Sequence, residues 1–257
     1  MHQKVIFLDI DGTLILGNQG PFQFDIQQIQ KVHNFGHKVF INTGRSYSNI
    51  PLVFRNVSYI DGFILGSGSH VVINGKTVYH KLISQDVLNK ICHYYLTNKN
   101  KWCVFEGEFY NYAINDFDKS MFVTGIVSIE ESEFFSKEYP FITKLTFGGQ
   151  LNDDDERKFL EDFFQLNSFS DYFEGIIKYE NKANGMKIVL ENLGISQENT
   201  LAIGDSMNDM EAIRFAKIGI AMKNACDELK QQSDDITDDY LHGGVGKALQ
   251  KWVNTSC

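Results

Sequence analysis

A chain of 257 residues, 43% hydrophobic and 22% charged, has material for one large or two modest domains around real cores. Its formal net charge of -9 excludes a general nucleic-acid role, because phosphate backbones are held by basic patches; a small anionic substrate stays possible if a local cation offsets the field. Four cysteines without a C-x-x-C pair make neither a disulfide framework nor a zinc site, and the short apolar start is no signal peptide. No run nears the ~18 apolar residues of a membrane span. A reducing cytoplasm, without membrane or nucleic-acid partners, is the simplest home.

Val5-Ile6-Phe7-Leu8 reads as a buried strand that ends in Asp9-Ile10-Asp11-Gly12-Thr13, two carboxylates at i, i+2 followed by a glycine turn. In an open parallel sheet, ligands bind just beyond the carboxyl ends of strands. Two acids there repel unless a cation or a proton lies between them. Alone, the pair is equally an acidic loop after a strand.

A Gly-containing loop (Leu16 to Pro21) follows, and Phe24, Ile26, Ile29 and Val32 recur at helical spacing up to Phe35-Gly36. Lys38 to Asn42 reads as a second buried strand, left through Thr43-Gly44-Arg45-Ser46; strand, helix and strand make a right-handed βαβ unit. Asp61 to Leu65 is a third strand, and Val71-Val72-Ile73 and Thr77-Val78-Tyr79 form a hairpin across Asn74-Gly75.

From about residue 83 to 180 the pattern changes to helices (Asp86 to Leu96, Asp155 to Leu166) alternating with aromatic and β-branched strands such as Trp102 to Phe105 and Ile142 to Phe147. This is expected to be an α+β insert. A helix over Gly185 to Asn192 and a buried strand over Thr200 to Ile203 follow. That strand ends in Gly204-Asp205-Ser206-Met207-Asn208-Asp209, and a helix, the strand Ile218 to Ala221 and a helical tail complete the chain.

Three strands thus end in loops carrying Asp9/Asp11/Thr13, Thr43/Gly44/Arg45 and Asp205/Asn208/Asp209, which converge on one crevice if the strands share a parallel sheet. Asp9 and Asp205 would then be hard oxygen ligands of the kind Mg²⁺ prefers.

These motifs resemble a haloacid dehalogenase superfamily phosphatase: Asp9-Ile10-Asp11-Gly12-Thr13 fits the first motif, Thr43-Gly44-Arg45 the second, and Gly204-Asp205 with Asn208-Asp209 the fourth. Gly219-Ile220-Ala221-Met222-Lys223-Asn224-Ala225 resembles the Cof-type branch, and the insert's place matches that branch's C2-type cap. The resemblance implies an α/β fold with a Rossmann-like parallel-sheet core over 1–82 and 181–257 and an inserted α+β cap over 83–180. One departure is Gly66-Ser67-Gly68, where Cof-like chains commonly carry Asn-Gly.

Carried over, Asp9 is the nucleophile that forms an aspartyl-phosphate, and Asp11 the general acid and then base. Mg²⁺ is held by Asp9, the Asp11 carbonyl and Asp205, with Asp209 in the same acidic group. Thr13, Thr43, Gly44, Arg45 and Asn208 are the expected substrate contacts, and Asn208 and Asp209 also orient the metal shell and the catalytic lysine. That lysine is Lys182, expected in a loop before the helix, with Lys187 inside the helix as competitor. Arg45 is read equally as a tie between loops, Lys144 is expected mainly as a surface charge, and Phe105, Phe109, Tyr110, Tyr112 and Phe122 as cap core or pocket lining. The implied activity is Mg²⁺-dependent hydrolysis of a small phosphorylated metabolite, a sugar phosphate or nucleotide-like monoester. A phosphomutase of the same superfamily and a non-catalytic phosphometabolite binder are the alternatives; a receiver-like domain lacks so large an insert.

Overall fold

A computed structural model describes residues 3–17, 19–115, 122, 126–128, 141–149, 154–169 and 171–253. In chain order the first elements are β1 (Val5–Leu8), α1 (Gln23–Asn34), β2 (Lys38–Asn42), β3 (Gly62–Leu65), β4 (His70–Ile73) and β5 (Lys76–His80). Next come α2 (Gln85–Thr97), β6 (Cys103–Glu106), β7 (Asn111–Ile114), β8 (Ile126–Ser128), β9 (Lys144–Gly148), α3 (Asp154–Glu161), β10 (Phe164–Ser168) and β11 (Tyr172–Ile177). The chain ends with α4 (Lys182–Leu193), β12 (Thr200–Gly204), α5 (Met210–Phe215), β13 (Ile218–Ala221), α6 (Asp227–Gln232), β14 (Asp235–Ile236) and α7 (Gly244–Trp252).

The contacts divide the chain into two compact units: residues 1–44, 52–79 and 181–257 form the first, and 45–51 with 80–180 the second. In the first unit an eight-stranded sheet runs β14-β13-β12-β1-β2-β3-β4-β5, parallel from β14 to β3, with β4 antiparallel to β3. Strands buried on both faces read as continuous apolar runs, and Val5–Leu8 is buried at every position. Val5 and Phe7 join a cluster with Met186, Val189 and Leu190 of α4 and Met210 and Ile213 of α5, while alternation turns Ile6 and Leu8 to the opposite face. Burying an aliphatic or aromatic side chain contributes about 1.5–3 kcal/mol, so this cluster anchors α4 firmly on the sheet.

The chain moves from β1 outward through β2 and β3 on one side, whereas β12, β13 and β14 extend the other. The connection direction therefore reverses between β1 and β12, where such sheets open a crevice beyond the strands' carboxyl ends. This is the α/β architecture expected, with an α+β insert.

The second unit holds a six-stranded sheet, β10-β11-β9-β6-β7-β8, antiparallel except for β7 and β8. Phe105, Leu145, Phe147 and Phe173 on one face pack with Leu88, Ile91 and Tyr95 of α2 and Leu160 of α3. Register puts Glu106, Lys144, Thr146 and Glu174 on the other face. They are buried as a bonded group: Lys144 pairs with Glu174 and lies 3.6 Å from Glu106, which also accepts from Thr146, Ser46 (3.0 Å) and Asn49 (2.7 Å). Lys144 is thus not a surface charge, contrary to expectation. Burial acts to lower its pKa, but Glu106 and Glu174 outweigh that and hold it above the ordinary lysine value.

Other expectations shift for physical reasons. The helix expected over Asp155 to Leu166 stops at Glu161, because Phe164 to Ser168 instead pairs with β11. Phe105 is core, while Phe109 and Tyr110 at the β6–β7 turn are exposed. Cys257, counted above, lies outside the described residues. Among those described, no helix is long and apolar enough to cross a membrane.

Candidate active site

Asp9 follows β1 directly, and its N–H still pairs with the Ile203 carbonyl of β12 at 3.1 Å, so the sheet itself fixes where the carboxyl points. Lys182 is the first residue of α4, not part of a loop before it. Asn181 caps that helix by accepting the Asn184 N–H at 2.9 Å, which sets the start of the helix one residue before Lys182. The Lys182 side chain is 0% exposed, and its Nζ donates to Asp9 Oδ1 and to Asp209 Oδ1, each at 2.6 Å. Its competitor Lys187 is exposed and lies over the Phe215 ring at 5.5 Å.

Asp209 is a hub. While Oδ1 accepts Lys182, Oδ2 accepts the backbone N–H groups of Asp205 and Ser206, each at 3.1 Å, which holds the turn after β12 in shape. Asn208 accepts the Ser206 hydroxyl at 2.9 Å. Gly12 has φ +77°, a left-handed backbone that glycine takes at little cost, and a Cβ there would stand 2.0 Å from Asp205 Oδ2. Only glycine lets the loop after β1 approach Asp205 this closely. Asn224 closes the group by donating to the Gly12 carbonyl at 2.8 Å and to Asp205 Oδ2 at 3.2 Å.

The electrostatics call for more positive charge than Lys182 supplies. Asp9, Asp205 and Asp209 each offer a carboxylate oxygen within 4.8 Å of the others. Burial raises the Asp9 pKa well above its ordinary value; Lys182 opposes this, and Asp209, Asp11 and Asp205 add to it. Burial and Asp209 likewise push Asp205 up to about 7, against the pull of Lys182. Lys182 itself is depressed by burial but held above its ordinary value by Asp209 and Asp9. Asp205 Oδ1 is buried with no hydrogen-bond partner. An unsatisfied buried carboxylate oxygen costs several kcal/mol unless something binds it, on the order of 1–3 kcal/mol even for a neutral group. A hard dication with oxygen ligands, such as Mg²⁺, fits this donor set.

Orphaned polar atoms extend along the sheet edge. Thr13 Oγ1, Asn42 Oδ1, Ser67 Oγ and Asp205 Oδ1 are buried without hydrogen-bond partners, and they sit at or just beyond the carboxyl ends of β1, β2, β3 and β12. These four strands are neighbours in the sheet, so the unsatisfied groups mark one continuous edge. Thr43 is buried at the end of β2, with its N–H on the Ile64 carbonyl at 2.9 Å. Asp11 is exposed in the loop after β1, and Gly44 is half-buried after Thr43. Arg45 groups with the second unit, where its guanidinium donates to the Asn49 carbonyl at 2.9 Å.

Of the residues expected from the sequence, Asp9, Lys182, Asp205 and Asp209 come together directly. Asn224, Asn42 and Ser67 were not singled out as site residues. In the sequence Asn224 is only one position of the Gly219 to Ala225 stretch, Ser67 is only a departure from Asn-Gly, and nothing local marks Asn42.

The haloacid dehalogenase-like hydrolase family model matches residues 6–249 of the chain. The chain is 30% identical over 258 residues to the 5-amino-6-(5-phospho-D-ribitylamino)uracil phosphatase YcsE of Bacillus subtilis, covering 97% of this chain and 96% of that protein. A phosphatase of the same description from Escherichia coli, YbjI, is 24% identical, covering 88% of this chain and 87% of its own length. Among solved structures, the subclass IIB sugar phosphatase BT4131 superposes with a TM-score of 0.82 at 23% identity, covering 97% of this chain and 99% of that one.

Proposed function

The chain belongs to the haloacid dehalogenase-like hydrolases and is a phosphatase, and from that premise we propose that it hydrolyses a small phosphorylated metabolite through an aspartyl-phosphate on Asp9 with Mg²⁺ as cofactor. The observation that carries this reading is the pair of 2.6 Å bonds from fully buried Lys182 to Asp9 and Asp209, beside an unsatisfied Asp205 oxygen.

In the first step an Asp9 oxygen attacks phosphorus in line, the P–O bond to the leaving alkoxide breaks, and Asp11 gives that oxygen its proton. In the second step Asp11, now a carboxylate, takes a proton from water, whose oxygen attacks the acyl-phosphate. Inorganic phosphate leaves and Asp9 is regenerated. Phosphoryl transfer asks mainly for positioning and charge stabilisation. Lys182 supplies a fixed ammonium beside Asp9, and Thr43, Thr13 and amides around Gly12 and Gly44 supply donors to the phosphoryl oxygens, the Gly12 N–H itself being held by the Ile15 carbonyl at 2.7 Å. Arg45 is a further proposed substrate contact.

Asp9, Asp205 and the Asp11 carbonyl would hold Mg²⁺, whose charge offsets repulsion between the acids and the incoming phosphate. Asp209, with both oxygens already accepting donors, and Asn208 orient Lys182 and the β12 turn. The free thiols of Cys103 and Cys226 support a reducing cytoplasm as the setting.

The test is Mg²⁺-dependent phosphate release across sugar phosphates, nucleotides and 5-amino-6-(5-phospho-D-ribitylamino)uracil, the substrate in the names of the relatives. Asp9→Asn is expected to abolish release with every substrate while the protein stays folded. Full activity in that variant removes Asp9 as nucleophile. Release without any bisphosphate activator separates hydrolysis from phosphomutase chemistry.

A further inference from the structure

The turn Gly66-Ser67-Gly68 leaves β3 with backbone that a side chain normally avoids. Ser67 has φ 53° and ψ 41°, in the left-handed region that disfavours any residue with a Cβ. Ser67 is 4% exposed, and its hydroxyl has no hydrogen-bond partner. A serine usually reaches such a backbone only when its side chain bonds locally, and this one does not. Strain and an unmet hydroxyl at one residue both act against folding, which points to a role outside it.

Its neighbours say what that role is. The Ser67 N–H donates to the Thr43 carbonyl at 3.1 Å. Gly68, at φ +104°, packs so tightly on Asn181 that a Cβ there would come within 2.1 Å of the Asn181 carbonyl oxygen. Thr43 is a proposed phosphoryl contact, and Asn181 caps the helix that begins with Lys182. Ser67 is thus tied to Thr43 through its own N–H and to Asn181 through Gly68, at the same sheet edge as the unsatisfied Thr13 and Asn42 atoms.

We propose that Ser67 is a substrate-binding residue whose hydroxyl donates a hydrogen bond to a phosphoryl oxygen of the bound phosphomonoester. The proposal rests on the phosphatase chemistry placed on Asp9 and Lys182. An anionic oxygen is the acceptor best suited to a dry hydroxyl, since charge-assisted hydrogen bonds are roughly twice as strong as neutral ones. The buried left-handed turn fixes the backbone that carries the hydroxyl before substrate arrives, so little ordering is required on binding.

Two substitutions separate this role from a purely structural one. Ser67→Ala keeps the Cβ and the strain but deletes the hydroxyl; Ser67→Gly deletes both and relaxes the turn. Both are expected to lower kcat/KM for a small aryl phosphate about tenfold, one charged hydrogen bond's worth. Both should weaken inorganic phosphate binding, titrated with Mg²⁺ present, by a similar factor. Stability should move the other way, with an unchanged or higher Tm for Ser67→Ala and a higher Tm for Ser67→Gly. Wild-type kcat/KM and phosphate affinity in both variants would overturn the proposal, as would losses that track a lowered Tm. If the wild-type protein released no phosphate, the underlying phosphatase reading would fail instead. Phosphate titration would then decide the role of Ser67 by itself.

Discussion

Replacing Lys182 with methionine tests the electrostatic centre of the site. The substitution keeps nearly the same length and volume, so packing beneath α4 is little disturbed. What it removes is the ammonium bonded at 2.6 Å to both Asp9 and Asp209, at a position with no exposed side-chain surface. Two buried carboxylates then face one another without a counter-charge, and breaking a buried pair of this kind costs about 3–5 kcal/mol. Asp209 retains its Asp205 and Ser206 backbone donors, which places the expected loss nearer the lower bound. Loss of a preorganised cation beside the phosphoryl group should lower kcat roughly a hundred- to a thousandfold. Urea denaturation measures the first quantity, and phosphate release from an aryl phosphate at saturating Mg²⁺ the second. Lys187→Met, on the exposed side of the same helix over Phe215, should leave kcat unchanged and serves as control. Wild-type turnover in Lys182→Met, or a larger loss in Lys187→Met, would refute the reasoning.

Three further outcomes follow from other groups. Asp25 is buried, accepts the Gly246 N–H at 2.7 Å through Oδ1 and leaves Oδ2 unbonded; burial lifts its pKa from 3.8 to about 6 despite that bond and Lys247. A carboxyl whose folded pKa is raised favours the native state while protonated, so its stabilisation is present below pH 4 and is lost as pH rises through about 6. Asp25→Asn keeps the acceptor for Gly246 and should gain on the order of 2 kcal/mol at pH 7, a gain that vanishes near pH 4 in parallel thermal melts. Glu106→Ala should destabilise the protein by about 3–5 kcal/mol, because Lys144, Ser46, Asn49 and Thr146 lose a shared buried acceptor; calorimetry reads it. Gly12→Ala drives a Cβ into Asp205 Oδ2, so the Mg²⁺ concentration for half-maximal activity should rise at least about tenfold.

The core of this fold was legible because its signals are local. Val5–Leu8, Val39–Ile41 and Ile218–Ala221 are apolar runs bounded by polar, glycine or acidic positions, and the strands follow those runs. Asp9, Asp11 and Asp205 could be read because a strand end places chemistry where the sheet opens, whatever its partners are. Lys182 was harder: its role depends on Asn181 capping a helix that begins at Lys182, three residues before the Gly185 start that the apolar pattern implied. The insert was read less well because pairing decides its structure. Phe164 to Ser168 has a helix-compatible composition but finds a strand partner in β11, and Lys144 looks like a solvent-facing lysine until Glu106 and Glu174 are brought beside it from distant strands. Ser67, Asn42 and Asn224 show the same limit within the site. Each matters through an unmet or long-range bond that leaves no local periodicity to detect.

The central claim is that Asp9 carries the phosphoryl group between the two chemical steps. Rapid acid quench of the wild-type protein during turnover, followed by peptide mass spectrometry, should find one phosphoryl group on the peptide containing Asp9 and none in Asp9→Asn. Turnover with no phosphorylated Asp9 peptide, or with the label on another residue, would contradict the account.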